Sequence, residues 1–66
     1  DRELLLTLQK YIDFNLNVSE AARSLFVHRN TLLYRLGKVQ KLTGLDYRNF
    51  DDMVFLRLMM LINAKE

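Results

Sequence analysis

The chain has 66 residues, half of them hydrophobic, with one His, no Cys, no Pro and a formal net charge of +2. One core of this size supplies only about 3–5 kcal/mol, so a stabilising partner is expected. Thiolate metal sites and disulfides are excluded, the lone His28 leaves zinc short of ligands, and no apolar run approaches the roughly 18 residues of a membrane span. No cofactor and no membrane contact are expected, and the missing basic-then-apolar leader reads as a cytoplasmic protein.

Leu4, Leu5, Leu8, Tyr11 and Ile12 recur at spacings of three and four, which predicts an amphipathic helix over 2–14. Asn15-Leu16-Asn17 interrupts it, because Asn prefers turns to helix interiors. Ser19 is the expected N-cap of a short helix over about 20–25, with Val18 as its staple residue. After Phe26-Val27-His28, a longer helix is predicted over about 29–43. Gly44 ends it by taking the left-handed conformation, and Lys38 and Lys41 suit the negative end of its dipole. The segment 44–50 reads as a loop, and Asn49 or Asp51 caps a fourth helix reaching about Asn63. No polar-apolar alternation is long enough for a strand. The expectation is one all-α domain, 1–66, of four helices.

The small net charge hides its distribution. From Ala21 to Leu45 there is no acidic residue, yet Arg23, Arg29, Arg35, Lys38 and Lys41 all fall there; the eight carboxylates lie outside. A short helix, a tight turn and a longer basic helix over about 19–43 form the helix-turn-helix pattern, in which the second helix enters the DNA major groove N-terminus first. Ala21 and Ala22 keep the crossing slim, and Leu25, Val27, Leu32 and Leu36 fill the shared core.

With about 100° per residue, Leu32, Leu36 and Val39 define a buried stripe, and Asn30, Tyr34 and Lys41 fall near the opposite pole beside Gly37. Double-stranded DNA is therefore the expected partner. Arg29, Asn30 and Thr31, in the first turn, are the candidate base readers; Tyr34, Arg35, Lys38 and Lys41 are candidate phosphate contacts, as is Ser19 at the start of the first motif helix. His28 is a phosphate ligand, a cap or a packing residue. Arg35 lies at the edge of the buried stripe, where it could instead pair with Glu20 or another carboxylate. The Tyr34 ring could equally cover apolar surface. Gly37 costs roughly 1 kcal/mol relative to Ala, either to let something approach or as tolerated drift. No base stands at a motif spacing from a nucleophile, so an enzyme is not expected.

"NLNVSEAARSLFVHRNTLLYRLGKVQKLTGLD" resembles the C-terminal helix-turn-helix of the purine-catabolism (PucR) and sugar-diacid (CdaR) regulator family, and the likeness runs from Leu4 to about Leu61. The resemblance implies a bacterial transcription regulator with an upstream sensor domain, a recognition helix that starts over His28 to Thr31, and a Tyr-Arg pair at Tyr34 and Arg35. Two positions depart from the pattern: Leu33 is apolar where members often carry a basic or polar residue, and Phe26 replaces the common glycine of the helix-turn-helix turn.

"MVFLRLMMLI", residues 53–62, is apolar except for Arg57. A helix apolar on nearly every side needs cover on nearly every side. A homodimer face using Phe55, Met59, Met60 and Ile62 is expected. The alternatives are a helix clamped between the first and third, or a protein-interaction module in which the basic helix is merely solvated.

Overall fold

Asp1 opens the first helix by accepting from the Glu3 N–H at 2.8 Å, and the helix, α1, runs over Arg2–Asp13. The computed structural model describes residues 1–64. Three more helices follow: α2 over Val18–Ser24, α3 over Arg29–Thr43 and α4 over Phe50–Ala64.

The chain leaves α1 through two successive left-handed residues, Asn15 (φ 58°) and Leu16 (φ 65°), and the Leu16 N–H donates to the Tyr11 carbonyl at 2.8 Å. This exit brings Asn17 into extended backbone, so its side chain, not that of Ser19, accepts from the Glu20 N–H at 2.9 Å. Ser19 does not cap α2: it already lies within the first turn, where a residue with helical backbone has lost the extended geometry a cap needs. The helix accordingly starts and ends slightly earlier than expected.

Phe26 takes φ 57° in the α2–α3 turn, and the Val27 N–H reaches back to the Ala22 carbonyl at 3.1 Å. His28 caps α3 through Nδ1, which accepts from the Asn30 N–H at 3.1 Å. Gly44, at φ 77°, closes α3 as expected, its N–H donating to the Gln40 carbonyl at 2.8 Å. Of the two candidate caps for α4, Asn49 is the one that accepts from a first-turn N–H, that of Asp52 at 3.0 Å. Asp52 in turn accepts from the Asp46 N–H, and the Tyr11 hydroxyl donates to the Tyr47 carbonyl, both at 2.8 Å, tying the α3–α4 loop to α4 and α1.

The core comprises Leu8, Tyr11, Ala21, Ala22, Leu32, Leu36, Val39 and Met53. α1 is its centre, packing on each of the other helices, and α2 crosses α3 where Ala21 and Ala22 leave no bulk between the backbones. α4 is not clamped evenly between two helices: among the described residues its backbone closely approaches only that of α1, and it meets α3 through side chains across an open groove. Met53 is buried and Leu56 and Met60 lean on the core, while Arg57 pairs with Asp13 at the end of α1. The opposite half of α4 leaves Phe50, Val54, Phe55, Leu58, Met59, Leu61 and Ile62 exposed. Of the four expected dimer residues, Met60 is thus turned inward. Between α1, α3 and α4 an open apolar groove of about 260 Å³ remains, floored by Leu4, Leu8 and Val39 and rimmed by Leu5, Leu42 and Met59.

Candidate nucleic-acid interface

α3 is held by the face that carries Leu32, Leu36 and Val39, all buried. Its outward face follows from that anchoring. Asn30, Tyr34, Gly37 and Lys41 succeed one another at spacings of four, three and four, which on a helix makes a nearly straight stripe about 16 Å long. Asn30, Tyr34 and Lys41 are exposed, and Arg29 stands exposed beside Asn30 in the first turn. Thr31 is half-buried and Lys38 is exposed, with its Nζ 5.7 Å from the Tyr34 ring centroid. That contact settles the Tyr34 ring against a cation on its own helix.

The His28 bond has an electrical consequence. Because Nδ1 accepts, the ring proton is assigned to Nε2, so capping uses one nitrogen and leaves the other a donor. Arg35 is engaged elsewhere. Its guanidinium donates to Glu3 on α1 at 3.1 Å, and its side chain is only 21% exposed, so it ties α3 to α1. Glu20, the partner named from the sequence, instead takes Arg23 within α2 at 2.7 Å. Among the described residues Arg29, Lys38 and Lys41 form no ion pair, and no carboxylate precedes Asp46 on α3 or its cap.

The structure therefore brings Arg29, Asn30, Tyr34, Lys38 and Lys41 onto one exposed strip, sets Thr31 at its edge and His28 at its start, and separates Arg35 from it. Ser19 lies exposed in the first turn of α2. Sequence reasoning missed Asn17 and Glu3, which position α2 and Arg35. Asn17 was detectable as a cap residue just before the apolar periodicity resumes; nothing in one sequence links Glu3 to Arg35, thirty-two residues away.

Two helices joined by a tight turn, crossing at two alanines and steadied by α1, define a helix-turn-helix domain, the architecture that presents its second helix to DNA. The chain belongs to the PucR C-terminal helix-turn-helix domain family, whose profile matches residues 4–62. It is 46% identical over 50 residues to the carbohydrate diacid regulator of Escherichia coli (strain K12), which covers 76% of this chain and 13% of that protein. It is 41% identical over 58 residues to the purine catabolism regulatory protein of Bacillus subtilis (strain 168), covering 88% and 11%. The proline-responsive transcriptional activator PutR of the same organism is 36% identical over 64 residues, covering 97% and 16%. No solved structure gives a significant match. The resemblance seen in the sequence thus holds: the domain is a helix-turn-helix of a transcription-regulator family.

Proposed function

We propose that the domain reads a specific DNA sequence by laying α3 in the major groove, with Arg29, Asn30 and Thr31 at base edges. Tyr34, Lys38 and Lys41 meet phosphates, as do His28 through Nε2 and Ser19 at the start of α2. Arg35 serves instead as the tie to α1. The observation that carries this reading is the exposed strip on the second motif helix, where three cations stand without a carboxylate partner among the described residues. Such a strip has the size and charge of a groove contact, and its cations are spent on no carboxylate of the described residues. Rounds of selection from a random duplex pool test it: enrichment of a defined half-site supports the reading, and a pool that stays random overturns it.

The domain acts as a two-fold pair, with a second copy on the outward half of α4. The seven exposed apolar residues there, roughly half accessible on average, amount to roughly 600–700 Å² per copy, near the ~800 Å² per partner of a standard specific interface. The seam centres on Leu58, with Phe55, Met59 and Ile62 beside it and Met60 behind. Leu58→Lys should convert a dimer to a monomer in sedimentation without loss of helical circular dichroism; an unaltered domain already monomeric at high micromolar concentration refutes the pairing. An α4 face that instead captures another protein, in a domain that binds no DNA, is the competing reading.

The chain spans little more than a tenth of the first two relatives. That supports a longer protein of which this is one part; in this reading it is the DNA-binding part of a cytoplasmic bacterial regulator, with effector sensing in an upstream domain. The domain itself carries out no chemistry in this reading. No helix of the described residues is long and apolar enough to cross a membrane.

A further inference from the structure

Gly37 stands in the third turn of α3, in the outward stripe between Tyr34 and Lys41. Glycine is the costliest residue in a helix interior after proline, because it gives up the most backbone freedom. Nothing among the described residues asks for it. Gly44 is the glycine with positive φ, whereas Gly37 has ordinary helical backbone. A Cβ built on Gly37 meets no heavy atom within 4 Å, so no neighbouring helix needs the space. The fold would accept any good helix former here, so a use for the bare backbone lies outside the domain.

The position of Gly37 says what that outside body is. It lies seven positions after Asn30, about 10 Å along the axis, and the major groove is about 12 Å wide. A helix whose first turn lies at base edges therefore brings its third turn to the sugar-phosphate wall. Lys38 and Lys41, both exposed, flank Gly37 there. We propose that the DNA backbone packs directly on the α3 backbone at Gly37, with the missing side chain setting how closely the helix seats and the two lysines closing on the adjacent phosphates. This rests on the DNA reading above and adds a seating residue to it.

Gly37→Ala and Gly37→Leu test the proposal, each measured for thermal midpoint and for affinity on two duplexes, one enriched by the unaltered chain and one of scrambled sequence. Both variants should melt higher than the parent, by about 4 °C for Ala. Both should bind more weakly on both duplexes, about tenfold for Ala and more for Leu, because a wall contact carries no base information. Stability and affinity thus move in opposite directions, which a merely structural glycine does not produce. Undiminished binding by Gly37→Ala overturns the proposal, as does a lower melting point, which would reveal an internal need for glycine. A loss confined to the enriched duplex overturns the wall placement. If the unaltered chain binds neither duplex, the DNA reading fails and takes this inference with it; a failure at Gly37 alone leaves that reading standing.

Discussion

Replacing Phe26 with glycine should make the domain more stable, although it removes an aromatic side chain. Phe26 is 96% exposed, so its ring contributes almost no packing in the free domain. Its backbone sits at φ 57°, where a side chain crowds the following carbonyl. That crowding costs about 1–2 kcal/mol for an ordinary residue. Glycine relieves it but adds about 0.5–1 kcal/mol of chain entropy to be lost on folding. The balance, about 0–1.5 kcal/mol and centred on ~0.8 kcal/mol, favours Phe26→Gly, and at that centre the thermal midpoint of a domain of this length rises by about 3–6 °C. Phe26→Ala is the control, since it loses the ring but keeps the crowding, and it should melt within a few degrees of the parent. Thermal denaturation followed at 222 nm reads both. If Phe26→Gly melts lower and Phe26→Ala falls with it, the ring holds contacts that this fold does not give it, and the left-handed turn is misassigned.

Leu36 is fully buried, and Leu36→Ala should cost about 2–5 kcal/mol, enough to unfold so small a domain; an unchanged melting curve would mean that the buried face of α3 is wrong. Thr7 is fully buried with no partner for its hydroxyl among the described residues, so Thr7→Val should stabilise by about 1 kcal/mol in denaturant titration, and a loss would reveal a hidden hydrogen bond. Burial first, then the Tyr47 and Asp46 charges, push the Tyr11 hydroxyl above its ordinary 10.0. With the folded value the higher, its contribution is fully present below pH 10 and is lost as pH rises through that folded value. The unaltered domain should therefore weaken more steeply above pH 10 than Tyr11→Phe does, and parallel pH curves would refute this.

Periodicity was enough to show the four helices, the α3 boundaries and the Leu32–Leu36–Val39 face, because each depends on residues near one another in the chain. What it missed depends on where segments meet. Asn17 and Ser19 are both good caps, and the choice between them is made by the left-handed exit at Asn15 and Leu16, which no spacing reveals. The α4 run is apolar nearly all round, so it carries no phase of its own; docking of Met53 against the core sets the phase and turns Met60 inward. Arg35 was placed correctly at the edge of the buried stripe, but its partner is Glu3, on a helix whose relation to α3 is a tertiary fact. The outward stripe of Asn30, Tyr34 and Lys41 was legible because it is the complement of the buried one.

Titrating the domain against an enriched and a scrambled duplex over a range of salt concentrations, with Asn30→Ala and Lys41→Ala in parallel, decides whether α3 reads DNA sequence while its later turns hold the backbone. Tighter binding to the enriched duplex is expected, with a log-log salt slope of about −2 for each domain copy, one phosphate for Lys38 and one for Lys41. Asn30→Ala should lose about 1–3 kcal/mol on the enriched duplex and little on the scrambled one, whereas Lys41→Ala should weaken both alike and reduce the slope by about one unit. Equal affinity for the two duplexes, salt-insensitive binding, or the same pattern of loss in both variants would contradict that role for α3.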